Sequence, residues 1–142
     1  GFAHLSCLVS YADSKSRDLI DAGEGDLIEP WRECPHCRQN YQRQVALDMA
    51  KSLLSFIDEN YPGSKVRKLG GLGMIIKAIL VMGYLRNSEL REEGKRAASQ
   101  MISAIQESGE DINEQLLFAY TALATFSEGD NTRDGYEMAL HY

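Results

Sequence analysis

An all-α fold of antiparallel helical hairpins is what this sequence of 142 residues predicts. Three observations lead there. From about Gln39 onward, apolar residues recur at three- and four-residue spacing, as one buried stripe of a helix requires. Turn-forming residues at Pro62-Gly63, Asn87-Ser88, Ser108-Gly109 and Glu128 to Asn131 interrupt that pattern at intervals suited to short connections between neighbouring helices. No stretch alternates apolar and polar residues as a strand would. The one piece of sheet to expect is a short hairpin around Cys34 to Cys37.

The elements follow in chain order. Leu5, Leu8, Val9 and Ala12 mark one face of a first helix within "AHLSCLVSYADSKSRDL". The next segment, "IDAGEGDLIEPW", carries two glycines, four acids and a proline, and reads as a loop. A second helix starts near Gln39, with Val45, Ala46, Met49, Ala50, Leu53, Phe56 and Ile57 as its stripe, and Pro62-Gly63 ends it. A third helix covers about Ser64 to Arg86. Its "GGLG" at Gly70 to Gly73 lacks the lysine-hydroxyl ending of a phosphate loop and follows no strand, so close helix packing explains it better. Asn87 or Ser88 caps a fourth helix that runs to Gln106. Asp111 and Glu114 form a capping box for a fifth, which reaches Phe126, and Thr132 opens a last helix that runs to Tyr142.

Composition narrows the function classes. Apolar residues make up 44% and charged residues 25% of the chain, the balance of a folded domain with its own core. A net charge of -6 opposes sequence-independent binding to nucleic acid, whose phosphates would be repelled. The most apolar run, Met74 to Leu85, is too short to span a bilayer and contains Lys77, so no membrane partner is expected. Asp130 to Gly135 imitates the start of a calcium loop, but the twelfth position is His141 rather than a bidentate glutamate. Acidic pairs such as Glu92-Glu93 face no base at a matched spacing and read as solvated helix edges.

The chemistry concentrates near the amino end. The three cysteines are an odd number, which argues against an extracellular disulfide framework and for reduced thiols in an intracellular, cytoplasmic setting. His4 and Cys7 form H-x2-C, and Cys34 and Cys37 form C-x2-C. These are the ligand types zinc prefers, each pair spaced to chelate one ion, and Pro35 suits a tight turn that aims two thiolates at one point. His36, between the thiols, reads as an exposed filler position. The same "CPHC" letters serve thiol–disulfide oxidoreductases, but that chemistry places the first thiol at the start of a helix after a buried strand. Ile28 to Glu33 is no such strand, so this is a minor alternative.

"GFAHLSCLVSYA", a loop, and then "WRECPHCRQNY" resemble the C-terminal half of a RING-CH (RINGv) zinc finger. In that family H-x2-C is followed by an apolar helix, a tryptophan precedes C-x2-C and an aromatic often follows it. Trp31 and Tyr41 stand at those places. The resemblance implies zinc held by His4, Cys7, Cys34 and Cys37, with each pair sharing its ion with a further cysteine pair upstream. The chain opens on Gly1 at the motif itself, so it reads as a fragment that lacks those pairs. The other arrangement collects the four ligands in one Cys3His site.

The end of the chain, "GYEMALHY" after "EGDN", resembles the second helix of a tetratricopeptide repeat and the turn before it. The organisation expected is therefore a partial RING-CH-like segment over residues 1–41 and a tetratricopeptide-like helical region over 42–142. The leading function is a protein-interaction scaffold with a zinc-binding module, whose partners are other proteins. The alternative is a RING-CH ubiquitin ligase, in which the finger grips a ubiquitin-conjugating enzyme without any catalytic side chain. The scaffold comes first because the ligase needs the complete finger.

Overall fold

The computed structural model describes residues 5–22, 28–84, 87–108 and 113–128. Among them are six helices: α1 (Leu5–Ala22), α2 (Glu29–Arg32), α3 (Arg43–Asn60), α4 (Lys65–Val81), α5 (Ser88–Ser108) and α6 (Asn113–Glu128). The class is all-α, with no strand among the described residues; the hairpin expected around Cys34 to Cys37 is a turn closed by a single antiparallel bridge, Glu33 with Asn40. No described helix is long and apolar enough to cross a membrane.

Local chemistry explains where the elements start and stop. Ser64 caps α4 by accepting the Arg67 N–H at 3.4 Å, and Asn87 Oδ1 caps α5 by accepting the Leu90 N–H at 3.1 Å. Asn87, rather than Ser88, is thus the capping residue. Three expectations need correction. The segment read as a loop from Ile20 to Trp31 is helical at both ends: α1 continues to Ala22, and Glu29–Arg32 makes one helical turn. Pro30 sits in that turn's first positions, where its missing N–H costs nothing. The second long helix starts at Arg43 rather than Gln39, because residues 39–41 pair back onto residues 32–34. α4 ends at Val81 rather than Arg86. The Asp111 cap, the helix from Thr132 to Tyr142 and His141 lie outside the described residues.

The chain divides into two compact units, Gly1–Gly71 and Leu72–Tyr142, with the boundary inside α4. In the first, α1, α2 and α3 pack pairwise around Ala12, Trp31, Leu47, Met49, Ala50, Leu53, Phe56 and Ile57. Val45, placed in the stripe from sequence, is 40% exposed, and Leu47 is buried in its stead. The buried face of α3 is broad because helices cover it from more than one side. A Cβ on Gly71 would lie 3.2 Å from Leu54 Cδ1, and one on Gly70 would lie 3.0 Å from Ile28 Cδ1. Close packing is therefore the use of the first two glycines of the "GGLG" run, Gly70 and Gly71.

In the second unit α5 packs on α6, with Ala97, Ala98, Met101, Ile102 and Ile105 against Ala119, Ala122, Leu123 and Phe126 as its apolar core. Tyr84 meets Phe126 edge-on, ring centroids 5.3 Å apart. Gly94 lets that ring approach α5, since a Cβ there would stand 2.6 Å from Phe126 Cε2. Gly94→Ala gains about 0.5–1 kcal/mol of helix propensity. Overpacking against a fully buried ring costs about 1–3 kcal/mol. The variant is expected to be destabilised, read as a lower urea midpoint, whereas Gly73→Ala, which meets open space, is expected to be neutral or stabilising.

Candidate metal centre

The CPHC segment stands on a packed base. Trp31 is buried in the first unit, its ring centroid 5.5 Å from that of Phe56. Its indole N–H donates to Ser16 Oγ at 2.8 Å, and both groups are out of solvent. A buried indole N–H needs an acceptor, and Ser16 supplies it from the helix position one turn beyond Ala12. Arg17, on the next position, lies over the Phe56 ring at 5.4 Å. The helical turn of α2 thus fixes where the chain enters the motif.

From that base the backbone makes a closed turn. Tyr41 N–H donates to Arg32 O at 2.8 Å, Cys34 N–H to Gln39 O at 2.9 Å, and Arg38 N–H to Cys34 O at 3.0 Å. Pro35 presets one turn position, and Arg38, directly after the second cysteine, takes a φ of 62°, a conformation that usually falls to glycine. The strain is held by the pairing on both sides of it. Inside the turn, the backbone N–H groups of Cys37 and then His36 bond to the Cys34 sulfur and hold that thiol below its ordinary range, against a smaller opposing effect of burial. The Cys37 thiol bonds to the same sulfur.

The sequence-predicted ligands are placed as follows. Cys34 is half-buried and Cys37 exposed, side by side in the turn. Cys7 is exposed on α1. It lies one helical turn from Tyr11, which lines a groove of about 140 Å³ together with Lys15, Glu29, Cys34, Pro35 and Arg38. His4 lies outside the described residues. His36 is exposed, as expected of a filler position. Among the described residues no three His, Cys, Asp or Glu side chains converge as a metal-holding group. The chemistry of the donor set nonetheless fits half of a tetrahedral zinc site: two thiols on one turn, one of them already biased toward the thiolate that a metal requires. The turn is not the start of a helix, since α3 begins only at Arg43, so the thiolate bias comes from turn amides rather than from a helix dipole.

Tyr41 completes the surroundings. Its hydroxyl is buried and has no hydrogen-bond partner among the described residues. Burial first, and then the negative charges of Cys34, Tyr11 and Cys37, push its phenol above the ordinary range. The two shifts have opposite consequences. Cys34, lowered in the fold, contributes stability at pH above its unfolded value, lost as pH falls through the folded one. Tyr41, raised in the fold, contributes stability below its unfolded value, lost as pH rises through the folded one. In the reduced, chelator-treated chain, alkylation of Cys34 by iodoacetamide is expected to show a lower pH midpoint than in the same chain in denaturant. An equal or higher midpoint would contradict the turn hydrogen bonds.

Among the features of the site not read from the sequence are the Ser16–Trp31 bond and the positive φ of Arg38. The first had a signal, a serine on the buried face of a helix near a lone tryptophan. The second had none, because arginine stands where glycine would have announced it. Comparison with protein-family models, with curated proteins and with solved structures finds no match to this chain.

Proposed function

We propose that this chain is a protein-interaction scaffold whose amino-terminal segment is a zinc-binding module of RING-CH type, and whose helices present surfaces to other proteins as tetratricopeptide-like hairpins. The observation that carries the reading is the Cys34–Cys37 turn, with two turn amides and a neighbouring thiol bonded to one sulfur. Such a turn sets two sulfurs side by side for a cation, one of them biased toward the thiolate, without any need of catalysis. Cys34 and Cys37 would hold one zinc ion, and His4 and Cys7 would serve zinc as the second pair. Zinc supplies a cross-link that joins the turn to its surroundings and contributes folding free energy. Trp31 fixes the turn to α1 and α3, so that the surface beside it is rigid.

The groove between α1, α2 and the turn favours a second reading, the ubiquitin ligase. Tyr11, Leu19, Pro30 and Pro35 give that recess an apolar part, beside the charged Lys15, Glu29, Glu33 and Arg38 and next to Cys34, a mixed surface on which a conjugating enzyme could dock. Both readings need metal. In a cobalt(II) titration of the reduced chain, sulfur-to-cobalt charge-transfer absorption is expected, displaced by zinc and lost in the Cys34→Ser/Cys37→Ser double variant. No such absorption, or absorption unchanged in the variant, would contradict the module. Ubiquitin discharge from a loaded conjugating enzyme, stimulated by the chain and lost in the same variant, separates ligase from scaffold.

A further inference from the structure

Tyr41 is a polar side chain without an occupation in the protein alone. Its hydroxyl is buried and lacks a hydrogen-bond partner among the described residues, whereas buried hydroxyls are nearly always bonded. The hairpin pairing says what it faces. Glu33 stands opposite Asn40, so Cys34 stands opposite Gln39 and Arg32 opposite Tyr41, consistent with the two backbone bonds that join those pairs. Side chains alternate between faces along each arm, which puts Cys34 and Tyr41 on one face as diagonal neighbours, within reach of a long aromatic side chain.

We infer that the Tyr41 hydroxyl is a positioning and tuning group for the metal thiolates, donating its proton as an O–H···S hydrogen bond to a cysteine sulfur of the Cys34–Cys37 pair. The inference rests on the zinc-module reading. A phenol O–H is a donor, and a thiolate is the strongest acceptor that the turn offers. Metal-ligating groups are generally held by such outer partners, whose loss lowers metal affinity by about 10–100-fold. The donor also withdraws charge from the sulfur, which raises the energy of sulfur-to-metal charge transfer.

Tyr41→Phe removes the hydroxyl and keeps the ring. In the metal-free chain the variant is expected to be at least as stable as the parent, because it deletes an unbonded buried polar group. In the cobalt-loaded chain it is expected to shift the charge-transfer band to lower energy and to weaken binding about 10-fold or more. The opposed signs distinguish tuning from packing: a merely structural residue would lower metal-free stability and leave the band in place. A parent chain that binds cobalt, with band and affinity unchanged in Tyr41→Phe, overturns this inference alone. A parent chain that shows no thiolate absorption overturns the zinc module and this inference with it. If Tyr41→Phe proves unstable without metal, the hydroxyl has a partner in the protein and the inference also falls.

Discussion

Trp31→Ala is expected to be the most destabilising single substitution in the first unit, seen as a urea midpoint far below that of the parent. Trp31 is 1% exposed, and truncating a buried Trp costs about 3–5 kcal/mol, a large part of the roughly 5–15 kcal/mol that holds a domain together. Three contacts go at once: the ring against Phe56, the indole bond to Ser16, and the filling between α1, α2 and α3. Helicity followed against urea by circular dichroism gives the magnitude, and amide hydrogen exchange gives the location. Faster exchange is expected in α1 and α3. Trp31→Phe keeps one aromatic ring against Phe56 but loses the second ring and the N–H donor, so a cost smaller than that of Trp31→Ala is expected. A Trp31→Ala chain within about 1 kcal/mol of the parent would show that the hairpin base is not part of the core.

Cys37→Ser is the second large effect, and it concerns metal rather than the fold. Cys37 is exposed, so its replacement by a hydroxyl removes little packing. It does remove one of two thiolates of the proposed chelate, and it takes away a thiol bonded to Cys34. Loss of an outer partner alone lowers zinc affinity by about 10–100-fold, and loss of a ligand is expected to exceed that range. Competition with a chromophoric chelator measures it. Metal-free stability in the same variant is expected to stay close to that of the parent, and equal zinc affinity in the two chains would remove Cys37 from the ligand set.

Much of the fold was legible before any coordinates. The stripes on α3 to α6 follow from apolar spacing, and the starts of α4 and α5 follow from Ser64 and Asn87, whose side chains bond the amides of Arg67 and Leu90. What could not be read depended on contacts between elements distant in sequence. A helix of four residues has no periodicity, and α2 is recognisable only through the burial of Pro30 and Trp31. The exchange of Val45 for Leu47 in the core depends on which neighbours cover α3. For the candidate site, the CPHC spacing and its proline announced a tight turn, and the turn is there. Its register, the left-handed Arg38 and the unbonded Tyr41 hydroxyl are properties of backbone pairing, which residue types do not encode.

Zinc K-edge X-ray absorption on the zinc-loaded chain tests the metal site most directly, because it reads the atoms around the ion. A sulfur shell at about 2.3 Å is expected, with an amplitude that drops in Cys34→Ser/Cys37→Ser. A shell of oxygen and nitrogen alone, or a sulfur shell indifferent to those two substitutions, would mean that the turn holds no metal.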